Sequence, residues 1–347
     1  MKERIYNFTV ELTWKYLEVL RQIEKFEVHW TKYQQREKSS LNQLKTLATI
    51  QSIGSSTRIE GSKLSDKQVQ TLLEKIDITQ VEDRDSQEVI GYYNALDIIT
   101  ESPKELRITE STLKNLHNVL LKISDKDDWH RGQYKQHSNA VQATFPDGSI
   151  QIIFKTTEPG FATDEEMKNL VNWIRKKDDI NPIIKTAAFV YEFLSIHPFQ
   201  DGNGRLSRLL TTLLLLQQDY EWVEYISFEH EIEKRKKKYY QALRNCQAKR
   251  PNEDITEWVE FFLDSLKNLI KKLNKKLEIS ESDLSSKQKN VYVYICNNPE
   301  SKISQIIEGT EVPRATLKRV IKVLLDKDMI EKNGKGAGTN YRMKSGT

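Results

Sequence analysis

The stretch that most constrains this chain runs His197-Pro198-Phe199-Gln200-Asp201-Gly202-Asn203-Gly204-Arg205-Leu206-Ser207-Arg208. It joins two segments, Ile183 to Ile196 and Leu206 to Leu216, whose apolar residues leave no clear polar face. Helices apolar all round are core helices, so the twelve residues between them are a loop held on a rigid platform. The glycines at 202 and 204 let successive N–H groups converge on an anion, and the following helix points its positive end at the same place. Arg205 and Arg208, three apart, share a helix face and suit the distal phosphates of a polyphosphate. His197 is a candidate general base near neutral pH. Asp201 is a hard oxygen ligand suited to Mg²⁺ on phosphate oxygens. Phe199 reads as the apolar anchor of the loop.

At 347 residues the chain is longer than a usual single domain. Its formal charge of +4 is too small to demand a nucleic-acid partner, so the distribution of charge matters more than its sum. Two cysteines, Cys246 and Cys296, cannot make a disulfide framework or a cysteine metal site, which points to a reducing compartment. No apolar signal core or membrane-length run is visible, so a cytoplasmic protein without a membrane partner is expected.

Ahead of the central stretch, residues 1–40 are rich in aromatic and charged residues and suggest one amphipathic helix around Trp14 to Ile23. Leu41, Leu44, Leu47, Ile50 and Ile53 recur at helical spacing, and Gly61 reads as a stop. Ser56 and Glu60 lie on one face at the end of that helix, where an acid opposes the helix dipole and therefore asks for a partner. Residues 64–122 continue in helical patterns. Val141 to Phe145 and Ser149 to Phe154, around Pro146-Asp147-Gly148, read as a β-hairpin, the one strand pair expected in the first 280 residues. Thr163 to Lys177 and Pro251 to Leu273 read as helices, and Lys234 to Lys238 as a mostly solvated charge run.

After a linker at 280–283, helices at Ser286 to Asn297, Lys302 to Glu308 and Pro313 to Asp326 precede a glycine-tipped two-stranded hairpin, the outline of a winged helix-turn-helix. From Pro313 onward there are nine Lys or Arg against three Asp or Glu. Arg314, Lys318, Arg319 and Lys322 on the third helix suit DNA phosphates.

The pattern His-Pro-Phe-x-Asp-Gly-Asn-Gly-Arg-x-x-Arg at 197–208 resembles the signature of the Fic (filamentation induced by cyclic AMP) family at every defined position. The resemblance covers roughly residues 40–270. It implies a mainly α protein: a Fic-type helical core with a β-hairpin flap, here followed by the winged helix-turn-helix. The expected division is 1–110, with an inhibitory helix at about 41–61; 111–275, the core; and 284–345.

By that resemblance the protein transfers AMP from ATP to a Ser, Thr or Tyr hydroxyl of a target protein, or of itself. His197 would take the hydroxyl proton and Asp201 would hold Mg²⁺. Gly202, Asn203 and Gly204 would form the anion hole, while Phe199, Arg205, Arg208 and Tyr239 complete the ATP site. Ser56-x-x-x-Glu60-Gly61 matches the family's inhibitory motif, whose glutamate pairs with the second arginine, here Arg208. The flap residues Val141, Gln142 and Ala143 would align the target by strand addition. Two departures stand out: Lys135 where many relatives carry arginine, and Arg235 where they often carry asparagine. Carried beside this reading are removal of AMP or another nucleotidyl or phosphoryl transfer on the same fold, a nucleotide-sensing DNA-binding regulator, and a homodimer.

Overall fold

The computed structural model describes residues 2–11, 13–36, 38–75, 81–144, 150–280, 284–327, 329–334 and 336–344. The chain divides into two compact units, Met1–Ile270 and Lys271–Thr347.

The core of the first unit is a pair of buried helices, α7 (Pro182–Ile196) and α8 (Asn203–Gln217). Asn181 caps α7 by accepting from the Ile183 and Ile184 amides, and Pro182 fills the first helical position, where its missing N–H costs nothing. Every residue from Ile183 to Ile196 is buried, as the all-round apolar pattern requires. Helices α4 (Arg84–Glu101) and α5 (Glu110–Leu121) lie beside this pair. They approach so closely that a Cβ on Gly91 would collide with the Leu120 carbonyl. Helix α2 (Lys38–Ile59) packs on α4 and α8 and carries Glu60 at its end, and the short α3 (Asp66–Glu74) follows. Helices α6 (Phe161–Ile174), α9 (Phe228–Lys234), α10 (Lys236–Gln247) and α11 (Thr256–Ser280) complete the helical body, with a break at Arg235 between α9 and α10.

Four expectations need correction. First, the helix expected around Trp14 to Ile23 is α1 (Trp14–Arg36), but ahead of it strands β1 (Lys2–Arg4) and β2 (Thr9–Glu11) pair antiparallel where no strand was expected. The hairpin at 140–155 is therefore not the first unit's one strand pair. Three-residue strands carry too little alternation to be seen in sequence, and this pair is held by distant backbone, Thr9 donating to Glu253 O at 3.0 Å and accepting from the Ile255 amide at 2.9 Å. Second, α11 starts at Thr256, past Pro251, and runs through the lysine-rich stretch where a change of domain was expected. Third, the charge run is not only a solvated face, because Lys236 Nζ donates to Ile59 O at 2.6 Å. Fourth, the winged sheet has three strands.

The hairpin itself consists of β3 (Ala140–Thr144) and β4 (Ile150–Lys155), antiparallel with an irregularity between Val141 and Gln142. Its expected turn at 146–148, with the expected strand ends Phe145 and Ser149, lies outside the described residues.

In the second unit, α12 (Ser286–Asn297), α13 (Ile303–Thr310) and α14 (Arg314–Asp326) surround an apolar core that includes Val291, Ile295, Ile306, Leu317, Ile321 and Leu324. Strands β6 (Ile330–Asn333) and β7 (Asn340–Met343) form the hairpin, and β5 (Ser301–Lys302) pairs with β7 as the third strand. Arg314, Lys318, Arg319 and Lys322 are exposed on α14. Of the linker expected at 280–283, Ser280 closes α11 and residues 281–283 lie outside the described residues.

Candidate active site at the α7–α8 turn

The turn is built by a reversal of the backbone at each end. His197 terminates α7 with φ 53° and ψ 59°, a left-handed conformation uncommon for a residue with a Cβ, while its amide still bonds Phe193 O at 2.9 Å. Gly202 opens α8 with φ 79°, where glycine is the undemanding choice. Between them Asn203 braces the loop from inside: its Oδ1 accepts from the Phe199 amide at 2.9 Å and its Nδ2 donates to Phe199 O at 2.7 Å. The Phe199 ring is fully buried and stacks on His117 with centroids 3.8 Å apart.

His117 is a part of the site that no motif signals. Its Nδ1 accepts from the Gly132 amide and its Nε2 donates to Asp201 O, both at 2.9 Å. An amide can only give and a carbonyl can only accept, so the imidazole is held neutral with its proton on Nε2. Burial agrees, pushing His117 down to about 4.

His197 is also neutral at physiological pH. Burial pushes it down to about 4, the Leu194 carbonyl opposes and the Lys135 ammonium adds to the fall. Its Nδ1 lies 3.3 Å from Leu194 O, which places the proton there and leaves the Nε2 lone pair free to accept one. The Asp201 carboxylate is 44% exposed, accepts from the Gly202 amide at 2.6 Å and forms an ion pair with Arg205 Nη2 at 3.3 Å. Burial works against its charge, but Arg205, the Gly202 amide and Arg84 together outweigh it and hold the group below the usual carboxylate range. Among the described residues no group of three or more His, Cys, Asp and Glu suited to a metal exists. A hard divalent ion here would take one protein carboxylate and complete its shell from phosphate and water, the usual habit of Mg²⁺, and the exposed, ionised Asp201 fits that use.

Two buried arginines line the start of α8. Arg205, 2% exposed, faces Asp201 and, at 3.5 Å, Glu88 of α4, and its Nε has no hydrogen-bond partner among the described residues. Glu88 in turn accepts from Arg84 Nε at 2.8 Å. Arg208 donates from Nε to Ser56 Oγ at 2.8 Å and from Nη2 to Ser56 O at 3.0 Å and Glu60 Oε1 at 2.8 Å. Glu60 leans over the first turn of α8: a Cβ on Gly204 would collide with its carboxylate oxygen. A carboxylate thus sits where the helix N-terminus and Arg208 would otherwise receive a ligand's anion. Gly61 follows with φ 113°, turning the chain away. Tyr239 is buried against Ser207 and Arg208; burial pushes its phenol up to about 12 although Arg208 pulls the other way.

The structure therefore brings together Ser56, Glu60, Gly204, Arg208 and Tyr239 on one side of the turn, and Asp201, Gly202 and Arg205 on the other, with His197 in the turn itself. Val141, Gln142 and Ala143 are described as β3 backbone only. Besides His117, sequence reasoning missed Glu88 and Arg58. Arg58 binds Glu233 at 2.7 Å, Asp66 at 2.9 Å and Leu64 O at 2.8 Å, pinning the end of α2.

A glycine-rich turn between two buried helices, with a neutral histidine at its head, stands at the centre of a Fic-type helical fold. Residues 107–215 match the family model described as Fic/DOC family, and residues 278–345 match that of the sugar-specific transcriptional regulator TrmB, which fits a winged helix. Residues 107–215 are thus similar to the Fic/DOC family, and the similarity of residues 278–345 to a second family lies behind them. It is 28% identical over 233 residues to the protein adenylyltransferase Fic of Drosophila virilis, covering 65% of this chain and 43% of that one. It is 26% identical over 249 residues to the protein adenylyltransferase fic-1 of Caenorhabditis elegans, covering 66% and 45%. The chain thus spans less than half the length of these relatives. Among solved structures, a Fic family protein from Desulfovibrio desulfuricans superimposes with a TM-score of 0.64 over 99% of both chains at 20% identity. Residues 134–508 of Fic-1 from Caenorhabditis elegans give 0.60 over 77% of this chain and 74% of that one, also at 20% identity.

Proposed function

We propose that the protein is an ATP-dependent protein adenylyltransferase, moving AMP from ATP to a Ser, Thr or Tyr hydroxyl of a protein target and held quiet by Glu60. The observation that carries the reading is the Arg208 guanidinium, shared between Ser56 and Glu60 at the mouth of an otherwise complete phosphate turn. In this reading the target hydroxyl gives its proton to His197 Nε2 as its oxygen bonds to the α-phosphorus. The bond from that phosphorus to the α–β bridging oxygen breaks, and pyrophosphate leaves with the electron pair. The amides of Gly202, Asn203 and Gly204, with Arg205 and Arg208, hold the phosphates in line, and Tyr239 backs Arg208. Asp201 would hold Mg²⁺, which neutralises phosphate charge when bound. The backbone of Val141 to Ala143 offers a strand edge on which a target segment can lie.

With Glu60 in place Arg208 cannot reach the end of the triphosphate, and the α-phosphate is left out of line. Functionally the chain divides into an inhibitory region at 1–110, a transferase core at 111–275 and a winged helix at 284–345. Incubation of the full chain with α-labelled ATP tests this. Glu60→Gly should raise self-labelling at least tenfold, and His197→Ala in that background should abolish it. Equal labelling by the wild type and Glu60→Gly would remove the inhibition claim.

A second role rests on a separate observation, the exposed Arg314, Lys318, Arg319 and Lys322 on the third helix of the winged unit. These residues suit the phosphates of duplex DNA.

A further inference from the structure

Lys135 is an ammonium in an unusual place. Its residue is 2% exposed, and its Nζ donates to Asn139 Oδ1 at 2.9 Å, Thr156 Oγ1 at 2.8 Å and Ile196 O at 3.0 Å. Three donors meet three acceptors, so the charged form is fully used. The acceptors are not a random set. Asn139 immediately precedes β3 and Thr156 immediately follows β4, so two of the bonds hold both legs of the hairpin at its root. Ile196 is the last residue of α7, directly before His197. The backbone repeats the tie, since the Lys135 amide donates to Pro198 O at 2.8 Å and Asn139 Nδ2 donates to Phe199 O at 2.9 Å.

We propose that Lys135 is a positioning residue for His197: its ammonium clamps the root of the β3–β4 hairpin to the carbonyl end of α7, so that the base and the target-receiving strand move as one piece. The proposal rests on the assignment of His197 as base and of the hairpin as the target's seat. Lys135 touches neither phosphate nor target; it sets the distance between what would touch each.

The clamp has a pH limit. Burial pulls Lys135 down to about 8, with the Glu158 and Glu166 carboxylates opposing. The other titratable group facing it is His197, which is neutral above pH 5 or so on the value already given. Loss of one proton leaves two donors for three acceptors, so the clamp loses a bond as pH rises through about 8.

Two measurements test this. In the full chain, ring-labelled histidines followed by NMR report His197 directly, its signal assigned with His197→Ala among the six histidines. Lys135→Met should raise the His197 titration midpoint, because a neighbouring cation is gone, and speed amide exchange at 140–144 and 150–155, while the His230 signal behaves as before. An unmoved His197 with unchanged hairpin exchange overturns the proposal. Should Lys135→Met not fold, Lys135→Arg keeps a charge that does not titrate in this range. In the Glu60→Gly background its self-labelling should extend to higher pH than that of the lysine parent, which should fall about tenfold per pH unit above its limb. Identical alkaline limbs overturn the proposal. If Glu60→Gly labels nothing at any pH, the transferase reading fails, and the His197 titration still decides the role of Lys135.

Discussion

At Arg208 a single guanidinium answers to two residues of one helix end, Ser56 through its hydroxyl and carbonyl and Glu60 through its carboxylate. Removing only the Ser56 hydroxyl costs one hydrogen bond to a charged group, roughly 1.5 to 3 kcal/mol of the paired state. Ser56→Ala should therefore raise self-labelling, by less than Glu60→Gly, and a variant no more active than wild type would mean that Glu60 alone sets the level. His117 and His197 make a second residue-scale prediction. Both are held neutral in the fold at about 4, whereas a histidine in an unfolded chain titrates near 6.5. Between those values the unfolded state binds more protons, so stability is fully present above about 6.5 and falls as pH drops towards 4. Replacing His117 with Gln should flatten part of that acid limb in thermal unfolding curves taken from pH 7 to 4. That His197, Asp201 and Arg205 gather at one turn could be read from the sequence, because the motif is contiguous. His117 could not: it lies 84 residues before the Asp201 carbonyl it binds, and nothing local marks it.

Among the elements, α2 is the one whose exact seat matters most. Its last turn is fixed from outside by Arg58, gripped by Glu233 and Asp66, and by Lys236, which caps the Ile59 carbonyl. Neither side chain reaches Arg208. Arg58→Ala should let the end of α2 shift and raise labelling while leaving Glu60 itself intact; labelling equal to that of the wild type would show that the Glu60–Arg208 contact needs no outside support. A second element-scale prediction concerns the α4–α5 crossing, where Gly91→Ala meets the Leu120 carbonyl. Overpacking of this kind costs typically 1 to 3 kcal/mol and should lower the thermal midpoint by several degrees. The long buried helices α7 and α8 were legible because fourteen or so consecutive residues agree on burial and the Asn181-Pro182 and Gly202 signals mark their starts. The β1–β2 pair and β5 were not, since two or three residues hold no periodicity and their partners are set by the tertiary fold.

For the molecule as a whole, two units with different chemistry share one chain. The winged unit predicts salt-sensitive binding of duplex DNA by the full-length protein. A Lys318→Glu, Arg319→Glu pair should weaken it and reduce the slope of log affinity against log salt by about one per lost phosphate contact. Absence of salt-sensitive binding by the wild type would assign the winged unit to another use. The shift of composition at the lysine-rich stretch marked the approach to the second unit but not the boundary itself, because α11 continues as a regular helix through that stretch to Ser280.

The order of these parts along the chain has one more consequence. Glu60 precedes Arg208 by 148 residues, so during synthesis the carboxylate leaves the ribosome well before the guanidinium it holds. In the proposed reading no stage of biosynthesis passes through a complete site without its brake. An unrestrained enzyme would then come only from an event after birth, such as a cut ahead of α4 or a partner that draws the end of α2 away, and never from a chain that simply stopped growing too soon.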